Sequence, residues 1–295
     1  MNRADIAALL ALAAALCIAI GDVIHQRSAH DVTDASVSHL GLFRRLLRDG
    51  RWWLGSGVAA AGFALQAAAL GLGSVLLVQA LLVTSLLFAL PINARLTRRR
   101  VTRWEWLWAA LLAGAVAVIV TVGNPTAGHA RAPWEAWTLV LAVLGPAMAV
   151  CLIGARIFTG ARSAVLLAVV SGALWGLFAV LTKGVVDHLL VHSWGGVLTV
   201  LRLPELYAWV AVAIAGTVMQ QSSFRAGALT ASLPTMTVTE PVVASVLGIV
   251  VLGETLRPGG AGWFTLVAAV AVMVVATVAL ARGEAAEDPA PVAAH

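Results

Sequence analysis

Apolar residues run along this chain in blocks of about the length a helix needs to cross a bilayer, roughly 20 residues for a hydrocarbon core about 30 Å thick. Reading with that ruler gives nine spans: residues 4–27, 52–71, 74–94, 104–123, 135–155, 163–186, 205–221, 228–252 and 260–281. Two of the blocks echo one another. Val83-Thr84-Ser85-Leu86-Leu87-Phe88-Ala89 in the third span matches Val238-Thr239-Glu240-Pro241-Val242-Val243-Ala244 in the eighth, and Gln66 precedes the first as Gln220-Gln221 precedes the second. Five crossings separate the first span from the sixth, so the second copy runs in the opposite sense through the membrane. The pattern predicts an all-α polytopic membrane helix bundle of about nine transmembrane helices. Two inverted four-helix repeats, 1–123 and 163–281, are joined by a linker helix at 135–155. The gaps 28–51 and 187–204 are too charged or too Gly-broken to span, and spacing such as Leu40, Phe43 and Leu47 suits short interfacial helices there. Residues 282–295 lack apolar period and read as a disordered cytoplasmic tail.

Composition supports the membrane setting. The chain is 61% hydrophobic and 11% charged, against about 45–50% and about 25% for soluble domains. A net charge of +5 raises the question of nucleic acid, but the basic residues sit in short loops beside apolar runs, so no nucleic-acid partner is expected. Arg27, Arg44, Arg45, Arg48, Arg51, Arg95, Arg98, Arg99, Arg100, Arg103, Arg156, Arg162, Arg225 and Arg282 fall on one side of the nine spans, and Arg3, Arg131, Lys183, Arg202 and Arg257 on the other. The positive-inside rule then puts the N-terminus outside a cell membrane and the C-terminus in the cytoplasm. Trp52, Trp53, Trp104, Trp106, Trp134 and Trp137 gather at span ends, where indoles anchor in the headgroup layer. The first span lacks a small-x-small cleavage site and is read as a retained helix. Cys17 and Cys151 read as small buried hydrophobes.

Polar groups inside the spans are the candidate chemistry, because a charge at a helix centre costs about 2.5 to 3.5 kcal/mol on insertion scales. Glu240 lies halfway along the eighth span, and Pro241 beside it acts as a hinge that frees a backbone carbonyl one turn earlier. Thr235, Thr237 and Thr239 crowd the same stretch, so a carboxylate, hydroxyls and loosened backbone can converge on a cation or a polar solute. Asp22, His25 and Gln26 share one face of the first helix and read either as a cytoplasmic mouth that hands over a cation or proton, or as a helix end paired with Arg27. Lys183, the single lysine, either binds an anionic substrate group or reaches for lipid headgroups. Gln66, Gln79, Gln220 and Gln221 suit a solute site or hydrogen bonds between helices, and Gly172 with Gly176 suits close helix contact. A P-loop, GxGxxG, HExxH, Cys/His cluster or grouped nucleophile and base is absent from the sequence, which argues against an enzyme and calls for no cofactor.

Ala228-Leu229, Ala231-Ser232-Leu233 and the terminal Gly253-Glu254 of the long eighth span resemble the second-half pattern of the drug/metabolite transporter superfamily. Gln221, Phe224 and Ala228-Leu229 are similar to positions of its NIPA-type magnesium transporter branch. The chain departs from that branch at Val78-Gln79-Ala80, from Asn93 to Arg100 and at His25-Gln26-Arg27. The resemblance implies a secondary transporter working by alternating access, with magnesium or another divalent cation as substrate and Glu240 and Asp22 as its strong oxygen ligands. Mg²⁺ keeps several waters, so two acids are compatible with it. Export of a small organic metabolite or drug is the alternative, expected if Trp175, Phe178 and Phe224 line the cavity. A non-transporting membrane partner that handles lipid, with a groove open to the side, is a third. The bilayer is the surrounding partner in each case, and a homodimer is compatible with all of them.

Overall fold

The computed structural model describes residues 2–33, 50–96, 98, 100–226, 229–260 and 262–287. They form ten helices: α1 (Arg3–Thr33), α2 (Gly50–Leu72), α3 (Val75–Leu82), α4 (Ser85–Leu96), α5 (Arg103–Thr121), α6 (Trp134–Ile157), α7 (Ala161–Val200), α8 (Pro204–Ala226), α9 (Leu229–Leu252) and α10 (Gly262–Glu287). Among the described residues the extended pairing is confined to an isolated bridge between Thr126 and Thr255. Eight stretches are long and apolar enough to cross a membrane, α3 and α4 together making one of them, and the chain is accordingly an all-helical, multi-pass membrane bundle. Helix α8 is of spanning length but carries Glu205, Gln220, Gln221, Ser222, Ser223 and Arg225 among its residues, and it stands outside the eight.

Packing follows from small residues. Helix α1 lies along α2, and α7 lies between α8 and α9. A Cβ on Gly172 would come within 2.8 Å of the Thr239 Cβ, and one on Gly176 within 2.9 Å of the Glu240 carbonyl oxygen, so α7 and α9 meet almost backbone to backbone at Glu240. The core between the helices is built from Leu70, Val75, Val78, Leu112, Val180 and Leu252. The reverse faces stay apolar, with Leu139, Leu141, Val150 and Ile153 of α6 and Phe264 and Val267 of α10 turned outward. An apolar exterior around a tightly packed interior suits lipid as the solvent.

Three features differ from the expectation. The third span is two helices, because the chain turns at Val83-Thr84. There Thr84 N, Leu86 N and Leu87 N bond back three residues, to the carbonyls of Leu81, Val83 and Thr84. The Thr84 hydroxyl also binds the Leu81 carbonyl, a local competitor to the helical ladder. The segment 187–200 is not a separate short helix: α7 continues unbroken to Val200, since Gly195-Gly196 weakens a helix without ending it. The last helix runs to Glu287, into the stretch read as tail, because Ala and Glu are strong helix formers. Residues 34–49 and 288–295, with the predicted interfacial helix and the rest of the tail, lie outside the described residues.

Candidate functional site

A cavity of about 250 Å³ opens where α1, α2, α7, α8 and α9 meet the turn between α3 and α4. Its polar lining is Gln66, Gln79, Ser85, Gln220, Thr237 and Glu240; Phe63 and Trp175 give it two aromatic faces, and Pro241 borders it. The two echoing sequence blocks thus meet across one space, the first supplying the broken helix and the second the acid. Each contributes an irregularity. Pro241 removes the N–H that would bind the Thr237 carbonyl. Thr235, Thr237 and Thr239 donate their hydroxyls to the carbonyls four residues back at 2.7, 2.8 and 2.7 Å, so the Thr237 oxygen faces the cavity as an acceptor only.

The amides are oriented by their neighbours. Trp175 Nε1 donates to Gln220 Oε1 at 3.2 Å, while the Trp175 ring stacks on Phe63 with centroids 6.4 Å apart and an interplanar angle of 22°. An aromatic column continues from there along α7, from Trp175 to Phe178 at 5.3 Å and on to Trp209 at 5.0 Å. Trp209 Nε1 closes it with a 2.8 Å bond to the Thr182 hydroxyl. Gln79 is 2% exposed, and its Nε2 is buried with no hydrogen-bond partner.

Beyond the column the bundle is sealed by charge. Lys183 Nζ lies 2.7 Å from Glu254 Oε1, the two side chains 5% and 0% exposed. The same carboxylate accepts from Val75 N at 2.7 Å and Leu76 N at 3.0 Å. Ser74 caps the next donor of α3, its hydroxyl accepting from Leu77 N at 3.1 Å, and its carbonyl accepts the first helical bond, from Val78 N at 3.1 Å. The N–H groups of the first three residues of α3, which have no partner within the helix, are therefore met. Glu254 reaches this position because Gly253 adopts φ +64°, which turns the chain so that Glu254 N returns to the Gly248 carbonyl at 3.0 Å. Gly248 itself has no room for a side chain, since a Cβ there would sit 2.9 Å from Glu254 Oε2.

Of the residues picked out from sequence, Gln66, Gln79, Trp175, Gln220, Thr237, Glu240 and Pro241 converge on the cavity, whereas Phe178 and Phe224 are not in its lining. Thr239 packs against Gly172 instead, Gln221 is exposed on α8, and Lys183 belongs to the ion pair with Glu254. The side chains of Asp22, His25 and Gln26 lie outside the described residues. Phe63, Ser85 and the buried Glu254 were missed as site residues. Glu254 carried a signal, being an acid directly after a span that also ends in glycine. Among the described residues no three His, Cys, Asp or Glu side chains come together to hold a metal ion.

No protein-family model matches the chain, and no solved structure does. An uncharacterized protein of Corynebacterium glutamicum is 40% identical to it over 278 residues, an alignment that covers 94% of this chain and 95% of that protein.

Proposed function

We propose that the chain, which belongs to one family with the Corynebacterium glutamicum protein, is a secondary membrane transporter that works by alternating access. The observation that carries this reading is the cavity itself: a carboxylate midway along α9, with three carboxamides gathered around the same space at the turn between α3 and α4. Discontinuous helices whose free backbone ends meet a polar pocket near the bilayer midplane are how secondary transporters commonly hold substrate and coupling ion. In this reading α8 also crosses, as the seventh of nine spans, the N-terminus is outside, and the halves 1–123 and 163–281 are inverted repeats about the linker α6. The packing of α1 with α2, α3 and α4, and of α7 with α8 and α9, supports that pairing of halves. The resemblance to the drug/metabolite transporter superfamily supports it from the sequence side.

For the substrate, the lining favours a small organic solute over magnesium. Mg²⁺ takes hard oxygen ligands in near-octahedral geometry, whereas Glu240 is the one carboxylate on this cavity among the described residues and two aromatic faces stand beside it. The volume lies just under the ~300–1,000 Å³ usual for drug-sized ligands, which sets the solute at metabolite size. Lys183 and Glu254, about 12 Å along α7 from Trp175 at ~1.5 Å per residue, close the outer end while the cavity is loaded from the inner side.

The test is flux in vesicles reconstituted with the full chain, using a panel of organic cations, polar metabolites and Mg²⁺, repeated with Glu240→Gln. Transport of at least one solute that the variant loses supports the reading. Equal flux in the variant, or none with any solute in either protein, overturns it; lipid scrambling in place of solute flux would assign the chain to lipid handling.

A further inference from the structure

The hydrogen-bonding capacities around the cavity restrict what it accepts. An indole nitrogen only donates, so the Gln220 atom 3.2 Å from Trp175 Nε1 is the carbonyl oxygen, and the NH₂ group of Gln220 is turned to the other side. Gln79 also borders the cavity, but its Nε2 is enclosed and meets no protein acceptor, so the amide donor turned to the cavity is that of Gln220. Against this donor stand the Glu240 carboxylate and the rings of Trp175 and Phe63, which together attract an organic ammonium by charge and by the ring quadrupoles.

We infer that the solute is a small organic ammonium that also carries a hydrogen-bond-accepting oxygen, the ammonium held by Glu240 beside the aromatic rings and the oxygen read by the amide of Gln220. Trp175 is the specificity-determining residue, because its N–H decides which end of Gln220 the solute meets. This inference rests on the cavity being the transport site. It goes further in requiring two functional groups on one molecule.

Three probes of matched skeleton separate the groups: leucinamide has ammonium and carbonyl, isoamylamine the ammonium alone, and 4-methylpentanamide the carbonyl alone. Dissociation constants are measured by calorimetry on the full chain in lipid nanodiscs. Leucinamide should bind about tenfold more tightly than either single-group probe, the size expected for one unmatched buried hydrogen bond. Trp175→Phe keeps a ring and removes the N–H; it should shrink the preference for leucinamide over isoamylamine severalfold, beyond the loss that the smaller ring imposes on both amines alike. Glu240→Gln should erase the preference over 4-methylpentanamide.

Equal affinities for the three probes in the wild type, binding of none at tens of millimolar, or a leucinamide-to-isoamylamine ratio that Trp175→Phe leaves unchanged overturns the inference. Flux measured on the same proteins keeps the two readings apart. Flux without discrimination rejects the bifunctional solute and leaves the transporter, whereas discrimination without flux rejects the transporter and leaves a binding site.

Discussion

Lys183 and Glu254 form an ion pair that is almost wholly removed from solvent, at 2.7 Å, and the same carboxylate holds the first two N–H groups of α3. Three helices are tied at one point: α7 through Lys183, α3 through its N-terminus and α9 through the turn that follows it. The far end of α3, eight residues away, borders the cavity. A shift of α3 at either end is felt at the other.

Removing one partner of this pair leaves a buried charge alone, at a cost of about 3–5 kcal/mol, while replacing both with uncharged groups of similar size is far less harmful. Lys183→Met and Glu254→Gln should therefore each lower the melting temperature in detergent, Lys183→Met more, and the double variant should recover much of the loss. Additive losses in the double variant would contradict a direct pairing.

Gly248→Ala should destabilise through the same point without touching a charge. The new methyl would meet Glu254 Oε2 at 2.9 Å, and that oxygen cannot swing aside without giving up Leu76 N. The expected loss is about 1–3 kcal/mol, as for an overpacked core, read from thermal unfolding. Gly145→Ala, where a Cβ meets nothing within 4 Å, serves as the control and should be neutral.

Gly176→Val should push α7 from α9 at the Glu240 carbonyl. Because that contact sets where the acid stands relative to Gln220 and Trp175, transport should fall by tenfold or more in protein that still reaches the membrane. Undiminished flux per molecule would separate the helix contact from the site.

Thr84→Val removes the hydroxyl that competes for the Leu81 carbonyl. If the turn between α3 and α4 moves during the cycle, the variant should bind solute normally and turn over several times more slowly. Pro241→Ala, which restores an N–H to α9, should likewise slow turnover more than it lowers expression; equal losses in both would make it a purely structural kink.

The bundle was legible because lipid imposes a length rule that few soluble residues obey, and Glu240, Pro241 and the two separated glutamines stood out as polar groups inside long apolar runs. Their meeting place was legible only in part. Nothing in residues 74–94 announces the turn at Val83-Thr84, since no glycine or proline marks it and it depends on one hydroxyl choosing a carbonyl. Lys183 read as a substrate or headgroup group because its partner lies 71 positions away, beyond the reach of any helical spacing rule. Phe63 was hidden for another reason. One more aromatic in an apolar span carries no signal until Trp175 is seen to stack on it.

The most direct test of alternating access is the sidedness of one cavity position. With Cys17 and Cys151, the two native cysteines, replaced by alanine, Ser85→Cys places a thiol on the cavity wall. Its labelling by a membrane-impermeant reagent is then followed from each side of oriented vesicles. The account predicts labelling from the cytoplasmic side when Lys183 and Glu254 are intact, and a gain of labelling from the outer side when Lys183→Met opens the seal. Labelling from the outer side alone in the intact protein, or an outer-side rate that Lys183→Met leaves unchanged, would contradict it.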